Sequence, residues 1–89
     1  MKSRTTQRFR KAFERLPGQI QRQARDAYEL FLQNPNHPSL RFKLVHPRKA
    51  IYSVRISRAY RALGVREGDV VIWFWIGSHD DYERLLTEA

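Results

Sequence analysis

Cysteine is absent from the 89-residue chain, so disulfide staples and thiolate metal sites are excluded. The three histidines are scattered and offer no metal-ligand spacing; neither a metal nor another cofactor is expected. Long apolar runs are missing too: nothing approaches the roughly 20 residues that a membrane span needs. Met1 to Arg10 is polar and cationic and lacks the apolar segment of a secretory leader. There is no Gly-rich phosphate loop, nucleophile elbow or paired-carboxylate signature, so nucleotide hydrolysis and acyl transfer have no support. The expectation is one cytoplasmic domain spanning residues 1–89, with no membrane partner.

Acidic residues are scarce. Nine face 17 Lys and Arg, for a formal net charge of +8. The imbalance is lopsided: residues 1–66 hold 16 basic residues against 3 acids, and residues 67–89 hold 1 against 6. Thirteen of the basic residues are Arg, whose planar fork donates two parallel hydrogen bonds to a phosphate and stacks on bases. Polyanion binding is therefore the leading reading of the surface, against a generic basic surface or one that docks an acidic protein.

The apolar residues, 42% of the chain, are strongly periodic. Thr5 and Thr6 precede Phe9, Ala12, Phe13 and Leu16, an i, i+3, i+4, i+7 stripe that predicts a short helix ended by Pro17-Gly18. A second helix follows from about Gly18 to Gln33, with Ile20, Ala24, Ala27, Tyr28 and Phe31 on one face. Asn34-Pro35-Asn36-His37-Pro38 stops it. Alternation then begins. Leu40, Phe42 and Leu44 oppose Arg41, Lys43 and Val45 in one strand, and Tyr52, Val54 and Ile56 oppose Ser53, Arg55 and Ser57 in the next. A third runs from about Tyr60 to Arg66, and Arg66-Glu67-Gly68-Asp69 makes a hairpin turn. Val70 to Ile76 is apolar throughout: a central strand covered on both faces, or one covered on one face with Trp73 and Trp75 exposed on the other. Gly77 ends it, and Ser78 with Asp81 has the form of a helix cap before a last helix reaching Leu86. The predicted fold is α+β, with an N-terminal helical hairpin on one face of a three- to four-stranded antiparallel sheet, the Arg- and Lys-bearing face left open, and a short C-terminal helix.

Strand alternation brings Arg41, Lys43, Arg55 and Arg61 to one face as a candidate phosphate-holding cluster, although each alone reads as a solvated strand residue. His79 is the best candidate for proton transfer, because imidazole titrates near neutral pH and the residue sits at a strand end. Tyr82 lies one helical turn on. The structural alternative has His79 simply filling the first turn of the last helix beside Asp80. Metal-free RNA cleavage needs a base for the 2′-hydroxyl, an acid for the leaving oxygen and cations for the phosphate, and these residues supply that set. His37 and His46 flank prolines and read as passive. Trp73 and Trp75 stack bases if exposed, but aromatics two apart in so apolar a strand read more readily as core.

The segments RTTQRFRKAFERLP, HPSLRFKL, YSVRISRAYRALG and VVIWFWIGSHDDYERLL together resemble the RelE/ParE toxins of bacterial type II toxin–antitoxin systems, over nearly the whole chain. Most specific are Tyr52-x-Val54-Arg55 with Tyr60-Arg61 downstream, and Gly77-x-His79-Asp80-x-Tyr82. The resemblance implies a compact α+β toxin held inactive by a cognate acidic antitoxin, and meeting DNA only indirectly through that complex. The RelE branch cuts mRNA in the ribosomal A site. By that branch, His79, Tyr82 and Arg61 would be catalytic, and Arg41, Lys43, Arg55 and Arg58 would bind RNA, with the ribosome and mRNA as partners. The ParE branch shares the scaffold but poisons DNA gyrase without being a nuclease. The His79 and Tyr82 pair favours RNA cleavage.

Overall fold

The computed structural model describes residues 1–88. The elements, in chain order, are β1 (Lys2–Thr5), α1 (Gln7–Glu14), α2 (Gly18–Gln33), β2 (Lys43–His46), β3 (Ile51–Ser57), β4 (Tyr60–Glu67), β5 (Val70–Ser78) and α3 (His79–Glu88), with 3₁₀ turns at Pro38–Leu40 and Pro47–Lys49. The α+β reading holds, with five strands rather than three or four, in the order β1-β5-β4-β3-β2. The extra strand is β1, which pairs parallel with β5 from Lys2↔Val70 to Thr5↔Trp73. Its sequence, Lys-Ser-Arg-Thr, carries no apolar alternation, and an edge strand needs little. It is held by its backbone ladder and by the Trp73 indole N–H, which donates to Ser3 Oγ at 2.7 Å.

Thr6 caps α1 by accepting from the Phe9 N–H at 3.1 Å, and Ser78 Oγ accepts from the Asp81 N–H at 3.2 Å at the start of α3. At the other end of α1, the Gln21 amide donates to the carbonyls of Phe13 and Glu14, tying the start of α2 to the last turn of α1. α1 packs on β5 and α2 on β3. An apolar cleft of about 430 Å³ separates them, flanked by Phe9 and Phe13 of α1 and by Ala27 and Tyr28 of α2, with Trp73 and Ile76 on its floor. Beneath the helices lies the main core of Ala24, Ala27, Phe31, Leu40, Val54, Ala62, Val71, Trp73 and Ile76.

Three expectations are corrected. The first antiparallel strand starts at Lys43 rather than Leu40, because Leu40 closes a 3₁₀ turn and Arg41 takes a left-handed backbone (φ 46°) that breaks the alternation. Leu40 is consequently buried while Leu44 is 45% exposed. Gly77 does not end β5, which continues through Ser78 because Gly77 pairs with Arg61 and Ser78 with Tyr60. The second face of the sheet is not wholly open either. α3 folds back across it, and Tyr82 forms a small core with Ile51 and Leu63, flanked by Leu85 and Leu86. The alternation assigns the faces of β3 and β4, and what it does not show is that the last helix returns to the far face. No helix among the described residues is long and apolar enough to cross a membrane.

Candidate functional site

The uncovered part of the α3 face is a row of cations. Arg55 of β3 lies directly opposite Arg61 of β4, and Arg61 lies opposite Gly77 of β5. Arg41, just before β2, is close enough for its charge to act on Arg61 as well. The Arg61 guanidinium is held below its ordinary pKa, chiefly by partial burial and then by the charge of Arg55. Arg41 acts in the same sense, whereas the Tyr82 phenol favours the charged form. Guanidinium is so strongly basic that Arg61 stays a cation throughout.

One end of Arg61 is fixed by the chain itself. Its Nη1 donates to the carbonyls of Ser57 at 2.7 Å and Tyr60 at 2.9 Å, so the side chain braces the β3–β4 turn and presents its remaining donors in a set orientation. Such a fork is prepared for a phosphate before any ligand arrives.

α3 delivers the titratable groups. The His79 N–H donates to the Ala59 carbonyl at 2.7 Å, which pins the start of the helix to the same turn that Arg61 braces. The His79 and Tyr82 rings are 5.5 Å apart at 41°, and His79 Nε2 stands 3.5 Å from Glu83 Oε1. The His79 side chain is 40% exposed, whereas Tyr82 is 6% exposed and locked by its packing. A recess of about 350 Å³ joins His79 and Asp80 to Arg58, Tyr60 and Arg61. An exposed imidazole and a part-buried guanidinium thus share one hollow, and the buried Tyr82 ring packs beside the imidazole from the core side.

The model of the ParE-like toxin domain matches residues 18–84 of the chain. The chain belongs to this toxin family. No curated protein matches it by sequence. Solved structures match nearly its whole length. The YafQ structure from E. coli strain BL21(DE3) superposes with a TM-score of 0.71 at 8% identity, covering 90% of this chain and 94% of that one. The RelB-RelE antitoxin-toxin complex from Methanococcus jannaschii gives 0.69 at 20% identity, covering 92% and 96%. The YoeB/ParE toxin from Agrobacterium tumefaciens gives 0.66 at 16% identity, covering 89% and 99%. At such identities the likeness is one of fold.

Within this ParE-like domain the expected residues fall into two groups. The first is linked through Arg61: Arg55 lies opposite it, the charge of Arg41 acts on it, His79 shares its recess, and Tyr82 packs against His79. Lys43 shares their face, since it pairs with the inward-facing Ser53, but it is exposed and one row further along the sheet. Arg58 is also exposed; it sits in the β3–β4 turn at the rim of the His79 recess. Sequence reasoning overlooked Glu83. The signal was available, because a carboxylate four residues after a histidine on a helix lies on the same face.

Proposed function

We propose that the protein is the toxin of a type II toxin–antitoxin pair and acts as a metal-independent endoribonuclease on ribosome-bound mRNA. The observation that carries this reading is the recess that His79 shares with Arg61, with Arg55 opposite Arg61 on the neighbouring strand and Tyr82 packed against the His79 ring. The arginines hold the phosphate that is to be cut, with Arg41, Lys43 and Arg58 gripping its neighbours. One member of the His79–Tyr82 pair takes the proton of the 2′-hydroxyl, and that oxygen attacks the adjacent phosphorus. The bond to the 5′ oxygen breaks, and the other member returns a proton to it. A 2′,3′-cyclic phosphate and a free 5′-hydroxyl result. Arg61 stabilises the extra negative charge on the five-coordinate phosphorus.

An acidic antitoxin suits a chain of net charge +8, and the RelB-RelE structure shows a relative of this fold in complex with its antitoxin. Primer extension on cellular mRNA after induction tests the activity. Codon-linked cuts are expected, and intact mRNA with undiminished translation would reject it. The description of the matching family as ParE-like, together with the apolar cleft between α1 and α2, favours a second reading as a gyrase inhibitor. Purified protein that blocks supercoiling while leaving mRNA whole would establish that reading instead.

A further inference from the structure

Trp75 has no part in the chemistry above, yet it stands beside it. The pairing of β4 with β5 shifts by one residue between Leu63↔Trp75 and Gly64↔Trp73, leaving Phe74 as a bulge. Strict alternation would put both tryptophans on one face. The bulge instead sends Trp73 into the main core, 2% exposed, and Trp75 to the face that carries Arg61.

On that face the indole lies over Gly77, the residue paired with Arg61. A Cβ on Gly77 would come within 2.6 Å of Trp75 Cζ2 and 3.0 Å of its Cη2, so the glycine is what allows the ring to lie flat there. The indole is half-buried, and it forms one wall of a second recess, of about 510 Å³. The other walls come from α1: Gln7, Arg8, Lys11, Ala12 and Arg15. Arg8, Lys11 and Arg15 are three or four residues apart, exposed, and free of acidic partners among the described residues. A flat aromatic surface bordered by cations, directly continuing a row of arginines, has the chemistry of a single-stranded nucleic-acid track: the ring stacks a base, and the cations follow the backbone.

We infer that Trp75, seated on Gly77, is a base-stacking platform for single-stranded RNA, and that Arg8, Lys11 and Arg15 hold the phosphates flanking that base, extending the Arg41–Arg55–Arg61 row to the opposite edge of the sheet. This rests on the RNA reading of the arginine cluster, and it assigns to α1 a role in substrate binding beyond packing.

Tryptophan emission tests it, because the only other indole is buried and bonded to Ser3. The His79→Ala protein is titrated with a single-stranded oligoribonucleotide of about eight nucleotides, within the usual site sizes for such tracks. Binding is expected to quench emission in the parent and not in Trp75→Phe. Trp75→Leu is expected to weaken binding about tenfold, the loss typical of one stacked base. Lys11→Glu with Arg15→Glu, which leaves the core untouched, is expected to weaken binding and to flatten the salt dependence by about two phosphate contacts. Gly77→Ala keeps every polar group but displaces the ring, and should reproduce the loss of quenching.

If RNA binds with emission unchanged, or binds Trp75→Leu and the charge-reversed helix as tightly as the parent, the platform is overturned while the arginine cluster stands. Polyglutamate quenching Trp75 as strongly as RNA would make the recess a site for an acidic protein segment and would also overturn it. Failure of the parent to bind RNA at all would remove the nuclease reading and this one together.

Discussion

Arg55 faces Arg61 across the β3–β4 ladder as a directly opposed pair of like charges, and neither guanidinium forms an ion pair with an acid among the described residues. Directly opposed like charges destabilise a sheet by about 0.2–1 kcal/mol. A fold that keeps such a pair beside its β3–β4 turn is relieved when a polyanion arrives. Arg55→Ala should therefore raise the melting temperature of the free protein while abolishing growth arrest. Thermal denaturation and a plate assay check the two halves, and a lowered melting point would contradict the repulsion argument.

Arg61 behaves differently, because it also braces the turn. Arg61→Ala loses the bonds to Ser57 and Tyr60, each worth about 0.5–1.5 kcal/mol net. The variant should remain folded by circular dichroism, melt at lower temperature than the parent, and relieve arrest. Arg61→Lys keeps the charge but cannot brace the turn and grip a phosphate together, so it should recover little activity. Full toxicity in the lysine variant would reduce Arg61 to a simple point charge.

Much of this arrangement was open to a reader of the sequence. The stripe from Phe9 to Leu16, the stripe from Ile20 to Phe31 and the alternation around Val54 each reflect a single buried face, and such faces impose a period. The caps at Thr6 and Ser78 were equally legible, because a side-chain oxygen before an apolar period has one obvious use. What stayed hidden were features set by distant partners. β1 exists because β5 offers it a ladder some 70 residues away, and the left-handed turn at Arg41 and the bulge at Phe74 leave no mark on the apolar pattern. For the site, Arg55 and Arg61 could be assigned a face. Their direct opposition, the brace on Arg61 and the approach of Glu83 to His79 depend on register and helix placement, which composition does not encode.

Glu83 is a positioning residue for His79. Its carboxylate stands 3.5 Å from Nε2 of the imidazole that borders the recess with Arg61, and under the proposed function it orients that ring. His79→Ala should lower the rate of mRNA cleavage by about 10²–10⁴, the usual share of a general acid or base. Glu83→Ala should cost less, and Glu83→Gln, which keeps an acceptor for the ring N–H, should restore most of that loss. Equal rates for Glu83→Ala and Glu83→Gln would show that the carboxylate does not orient the ring.

Gly64 carries a demand unlike that of Gly68. A Cβ on Gly64 would lie 2.6 Å from Val71 Cγ1, 2.7 Å from Trp73 Cε3 and 3.2 Å from the Ile72 carbonyl, all in the packed region beneath the bulge. Overpacking there costs about 1–3 kcal/mol, and the indole it displaces is the one that ties β1 to the sheet. At Gly68 a Cβ meets nothing, but φ is +59°, a conformation that costs an L-residue about 1–2 kcal/mol. Gly64→Ala should therefore lower the melting temperature and also free the N-terminal strand, seen as faster amide exchange in residues 2–5. Gly68→Ala should lower the melting temperature while leaving those amides protected, because its strain is confined to the β4–β5 turn. If β1 exchanges equally fast in both variants, the Trp73–Ser3 bond is not what holds the edge strand.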